Sequence, residues 1–182
     1  KEMKMVTQDF SLNIYAKVYD NIASMLSNTN VQAKEEKTTE MMQHLHIQQL
    51  KDKKITQLSG GEQQRVAIAR AMVSDTAVLL LDEPFSQVDA LLKNQLRADI
   101  KRIAAETGVT VVMVSHDPAD GLFLADELLI LKEGKLLQQG NPAQVYNHPD
   151  HIYTAKLLGN AVVLNKEEAE QLGLEVKSGH AV

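Results

Sequence analysis

Apolar residues are spaced differently along the two parts of the chain. Over the first third they recur at helical intervals within polar sequence. One amphipathic stretch covers 18–26, and a longer one covers about 32–46, where Met41, Met42, Leu45 and His46 share the repeat. This predicts a small helical subdomain over about 9–75, preceded by a strand that leads into Gln8. From Gly61 onward helix and strand alternate: a helix over 62–73, a buried strand at 78–81, a helix over about 90–106 and a strand at 109–114. That alternation predicts an α/β fold with a parallel sheet covered by helices. Gly108 falls where a helix C-cap glycine turns the chain into the next strand. Residues 127–131 and 135–139 flank Glu133 and Gly134 and predict a hairpin on the edge of the sheet. Short helices follow at about 142–146 and 152–158. The core half of the domain is placed at about 76–159, and 160–182 reads as the start of a C-terminal extension.

Composition narrows the chemistry. The 182 residues are 44% hydrophobic and 24% charged, with a net charge of −5, which predicts a folded domain and no nucleic-acid surface driven by bulk charge. There is no cysteine, so disulfides and thiolate metal sites are excluded within these residues. No apolar run approaches the roughly 20 residues needed to span a bilayer as a helix.

Three segments carry candidate chemistry. In Leu58-Ser59-Gly60-Gly61-Glu62-Gln63-Gln64-Arg65, Ser59 and Glu62 form an S-x-x-E capping box, and two glycines in the first turn leave N–H groups open to a phosphate. The apolar strand ending at Leu81 runs into two acids, Asp82 and Glu83. At the carboxyl end of a parallel strand such acids face the crevice where nucleotides bind, one able to hold a metal and the other to handle water. A second apolar strand ends in Ser115-His116-Asp117, so His116 can converge on the same crevice. A helix of about twelve residues rises roughly 18 Å and a returning strand of about six covers roughly 20 Å. The glycine-rich turn and the paired acids are therefore expected at one edge.

In this order the segments resemble the ATP-binding-cassette ATPases. Leu58 to Glu62 is similar to that family's signature, Leu79 to Glu83 to its Walker B strand, Ser86-Gln87-Val88-Asp89 to its D-loop, His116 to its switch histidine and Val6-Thr7-Gln8-Asp9 to its Q-loop. The layout most resembles bacterial importer subunits of the iron, polyamine and sulfate type. The resemblance implies a partial P-loop NTPase (RecA-like) fold and, as cofactors, ATP with Mg²⁺. It makes Glu83 and His116 catalytic, with Asp82 and Gln8 at the metal. Ser59, Gly60, Gly61 and Glu62 would clamp nucleotide held by the opposite subunit of a homodimer, with Gln8 and Asp89 completing the nucleotide contacts. It further implies a membrane subunit engaged through the Q-loop region, a solute-binding protein acting indirectly, and a cytoplasmic location on the inner face of the cell membrane.

No G-x-x-x-x-G-K-[ST] loop occurs in these residues. The single Gly-Lys pair, Gly134-Lys135, is followed by Leu136. The chain is thus expected to be an N-terminally truncated cassette, inactive alone, with a sheet edge or groove left open. Two other readings share the motifs: a non-transport cassette ATPase and a degenerate interaction module.

Overall fold

The structure, a computed structural model, describes residues 2–27, 29–74, 76–159 and 171. The chain forms two compact units, one ending at His116 and one beginning at Asp117. In the first, β1 (Glu2–Val6) is followed by α1 (Val18–Ala23), α2 (Val31–His44) and two 3-10 turns at Gln48–Leu50 and Ile55–Gln57. Next come α3 (Gly60–Met72), β2 (Thr76–Asp82), α4 (Ala90–Thr107) and β3 (Thr110–Val114). The strands form a parallel sheet in the order β1-β2-β3. The predicted α/β class therefore holds, with strands and helices alternating from α3 onward.

Helix α3 is the centre of this unit. Gln64 through Ala69 are all buried, so the helix is covered on every side, by β1, β2, α1 and α2. Beside it lie Ile22, Met42, Leu45, Ile47 and Ile55, each no more than 1% exposed. Helix α2 starts at Asn30, whose side chain accepts from the Ala33 N–H at 2.8 Å. His46 departs from the expected repeat: it lies past the end of α2 with φ 55° and a half-exposed ring, because the chain turns there. Its Nε2 lies 3.3 Å from Asp99 Oδ1. Arg65 of α3 donates to the Leu45 carbonyl at 3.1 Å and to Asp99 Oδ2 at 3.4 Å, so one buried carboxylate on α4 ties three elements together.

The two faces of the sheet differ. Leu79 and Leu81 of β2 are buried, whereas Met3, Met5, Val112 and Val114 are each at least half exposed. The register aligns Met5 with Leu80 and Leu80 with Val112 across one face. Among the described residues β1 and β3 each pair on one side only. Gly108 ends α4 with φ 67°, its N–H bonded to the Ala104 carbonyl, as a C-cap glycine should.

The second unit holds α5 (Pro118–Leu124), β4 (Leu128–Lys132), β5 (Lys135–Gly140), α6 (Pro142–Asn147) and α7 (Ile152–Leu158). Glu133 and Gly134 take φ 51° and 73°, the left-handed pair of a tight two-residue hairpin. The expected placement of this hairpin on the edge of the parallel sheet is corrected. Strands β4 and β5 pair antiparallel in a two-stranded sheet of their own, around buried Ile130 and Val145. The extension expected at 160–182 lies, apart from Gln171, outside the described residues. Among the described residues no helix is long and apolar enough to cross a membrane.

Candidate functional site

The carboxyl ends of three adjacent parallel strands carry the candidate residues. Gln8 follows β1, Asp82 closes β2 with Glu83 next, and His116 comes two residues after β3. Val6 pairs with Leu81, and Asp82 with Val114, so the three strands finish nearly level. This is the edge at which open α/β sheets bind ligands.

Glu83 and His116 are brought together. Glu83 Oε2 lies 2.7 Å from His116 Nδ1; the glutamate side chain is 23% exposed and the histidine 78%. The contact depends on an unusual backbone, since Glu83 has φ 49°, a left-handed conformation that costs a non-glycine residue on the order of 1–3 kcal/mol. Local bonds hold it there. The Glu83 N–H donates to the Val114 carbonyl at 2.9 Å, and the Glu83 carbonyl accepts from both the Ser86 N–H and the Ser86 hydroxyl. Strand β3 therefore positions both members of the pair, the histidine through the chain and the glutamate through that bond.

The glycine-rich turn forms as its sequence dictates. Ser59 caps α3: its Oγ accepts from the Glu62 N–H at 3.3 Å, and Glu62 Oε2 accepts from the Ser59 N–H at 2.8 Å. A Cβ at Gly60 would sit 2.7 Å from Gln87 Oε1, and one at Gly61 would touch the Gln87 carbonyl and Val88. The first turn of α3 thus rests on the segment that follows Glu83; the helix and strand lengths predicted a shared edge but not this contact. Asp89, in the same segment, caps α4 by accepting from the Leu92 N–H at 3.1 Å.

Gln8 is exposed in the turn that leaves β1 and joins neither the acid–histidine pair nor the capping box. Beyond it Phe10 and Ser11 both adopt left-handed backbone, φ 60° and 45°. Hydrogen bonds from the Thr7 and Ser11 hydroxyls, the first stronger, hold the Asp9 carboxyl below the usual carboxylate range. Buried Asn21 braces the rest of the loop, accepting from the Asn13 N–H and donating to the Asn13 and Lys17 carbonyls. Ile14 and Tyr15 stand out from it, 47% and 84% exposed. Sequence reasoning missed three participants: Arg70, which bonds this loop, Gln87 under the signature glycines, and the left-handed state of Glu83. A residue before proline is expected to be extended, so the Glu83-Pro84 pair pointed away from the last of these.

Together, a parallel sheet with an acid–histidine pair at its carboxyl edge and a capped glycine turn beside it define an α/β cassette with a polar cluster at one sheet edge. Residues 1–86 match the family model described as ABC transporter. It is 34% identical over 167 residues to the spermidine/putrescine import ATP-binding protein PotA of Spiroplasma citri, covering 91% of this chain and 48% of that protein. It is 40% identical over 162 residues to the sn-glycerol-3-phosphate import ATP-binding protein UgpC of Vibrio vulnificus, covering 88% of this chain and 44% of the relative. The chain therefore spans about half the length of the curated relatives it matches. Among solved structures it resembles the dimeric, post-hydrolysis state of the ATP-binding cassette MJ0796 bound to ADP and Pi. That likeness has a TM-score of 0.70 at 26% identity and covers 78% of this chain and 63% of the other.

Proposed function

We propose that this chain is the acid-bearing part of an ATPase subunit that hydrolyses MgATP to power solute import through a membrane transporter. The observation that carries the reading is the 2.7 Å pairing of Glu83 with His116 beside the capped signature turn. Glu83 accepts a proton from the attacking water, and His116 orients the glutamate and reaches the γ-phosphate. Asp82 and Gln8 are two oxygen donors at the ends of neighbouring strands. They fit Mg²⁺, which takes one or two protein oxygens and completes its shell with phosphate oxygens and water. When bound, the ion neutralises charge developing on the phosphoryl group. Gly60 and Gly61, in the turn that the Ser59–Glu62 capping box holds, offer N–H groups at the positive end of α3 to the phosphates of an ATP held by a second copy, with Asp89 on the facing segment.

The exposed Ile14 and Tyr15 on the loop after Gln8 suit contact with a membrane subunit. On this reading the protein sits on the inner face of the membrane and meets a solute-binding protein only indirectly. The relatives' names carry different solutes, which fits a choice of solute made outside this chain.

The test compares MgATP hydrolysis by the 182 residues alone with hydrolysis by the same chain joined to a G-x-x-x-x-G-K-[ST] segment from a relative. That loop supplies the cradle and lysine for the β- and γ-phosphates. The expected result is hydrolysis by the joined protein only. Hydrolysis by the chain alone that Glu83→Gln abolishes would overturn the assignment of an incomplete site, and absence of nucleotide binding by both would overturn the ATPase reading.

A further inference from the structure

Arg70 lies on α3, ten residues and about 15 Å of helix beyond Gly60. Its two guanidinium nitrogens donate to consecutive main-chain carbonyls, Nη2 to Phe10 at 2.9 Å and Nη1 to Ser11 at 2.7 Å. Among the described residues no carboxylate forms an ion pair with it. Burial holds the guanidinium below its ordinary pKa, so this cation is partly dehydrated for the sake of two neutral acceptors. Both acceptors belong to the residues whose φ is 60° and 45°. Glycine is the usual occupant of such conformations, and neither residue is glycine. The turn has further bonds of its own, from the Phe10 N–H to the Thr7 carbonyl and from the Ser11 N–H to the Asp9 carbonyl. The first of these spans Gln8 directly. Phe10 adds an anchor, since it is 6% exposed. A planar fork matches two adjacent carbonyls, whereas the single ammonium of a lysine does not.

We propose that Arg70 is a positioning residue for Gln8: its guanidinium holds Phe10 and Ser11 in their left-handed states and so fixes the turn that presents Gln8 at the sheet edge. The role given to Gln8 rests on the functional reading above. The signature helix thereby grips the Q-loop directly, and a displacement of that loop is felt by the helix that carries Ser59 and Gly60.

The test is amide hydrogen exchange on the 182-residue chain without nucleotide or metal. Arg70→Gln is expected to speed exchange at the Phe10 and Ser11 amides about tenfold or more, while the Val66 to Ala69 amides of α3 stay within about twofold. Adding Ser11→Gly, which removes the conformational cost at one position, is expected to recover about threefold of the lost protection after correction for intrinsic rates. Arg70→Lys, which keeps the charge and loses the fork, is expected to fall between the parent and the glutamine variant, and it carries the same comparison if the latter fails to fold. Loop exchange unchanged in both variants, or a rise in α3 as large as that in the loop, would overturn the proposal. The Gln8 reading fails separately: hydrolysis by the joined protein that survives Gln8→Ala would sink it and leave the exchange result standing.

Discussion

Replacing Glu83 by glutamine is expected to lower ATP hydrolysis about 10²–10⁴-fold in a form of the protein that carries the phosphate-binding loop, the range for loss of a general base. Glutamine keeps the length of the side chain and can still bond His116, so the sheet edge is preserved and only proton acceptance is lost. On the proposed function nucleotide binding draws on other groups, the signature turn among them. The KM for ATP should therefore change little while kcat falls, and the ATP-bound dimer should accumulate. Steady-state kinetics with size-exclusion chromatography in ATP would show both effects. A kcat within threefold or so of the parent would move the base elsewhere, since such a ratio is far below what proton transfer contributes.

Asp99→Ala is expected to cost about 3–5 kcal/mol of stability, the usual result of stranding one member of a buried ion pair. Asp99 and Arg65 are each 7% exposed at the side chain, and Arg65 also bonds the Leu45 carbonyl. Without the carboxylate, the Arg65 guanidinium stays between α3 and α4 with one neutral acceptor, and His46 loses its contact as well. Domains are stable by only about 5–15 kcal/mol, so this one change should consume a large share. Urea denaturation of both proteins measures it. A double replacement by apolar residues of similar volume, Arg65→Met with Asp99→Leu, should cost much less, because no charge is then left buried. A single-variant cost below about 1 kcal/mol would mean that water reaches the cluster.

Where the sequence carried strong local signals, it was legible. The apolar run into Asp82 and the Gly108 cap placed β2, α4 and β3 nearly to the residue, and Ser59 and Glu62 form the capping box their spacing required. The convergence of Glu83 and His116 followed from two strands ending at one edge. What stayed hidden depends on contacts between distant parts of the chain. Arg70 reads as an ordinary basic residue in the last turn of a helix, and only the fold sets it against carbonyls some sixty residues earlier. The hairpin's local turn was readable from Glu133-Gly134, whereas its independence from the parallel sheet was not, since pairing partners leave no local trace. His46 kept helical spacing but fell beyond the point where α2 ends.

The left-handed backbone at Glu83 sets evolution and engineering against each other. Glycine adopts φ 49° without penalty, so a search for heat-resistant variants would be drawn to position 83 and would reward loss of the group that meets His116. A rise in melting temperature at that residue is a warning, and turnover has to be scored alongside it.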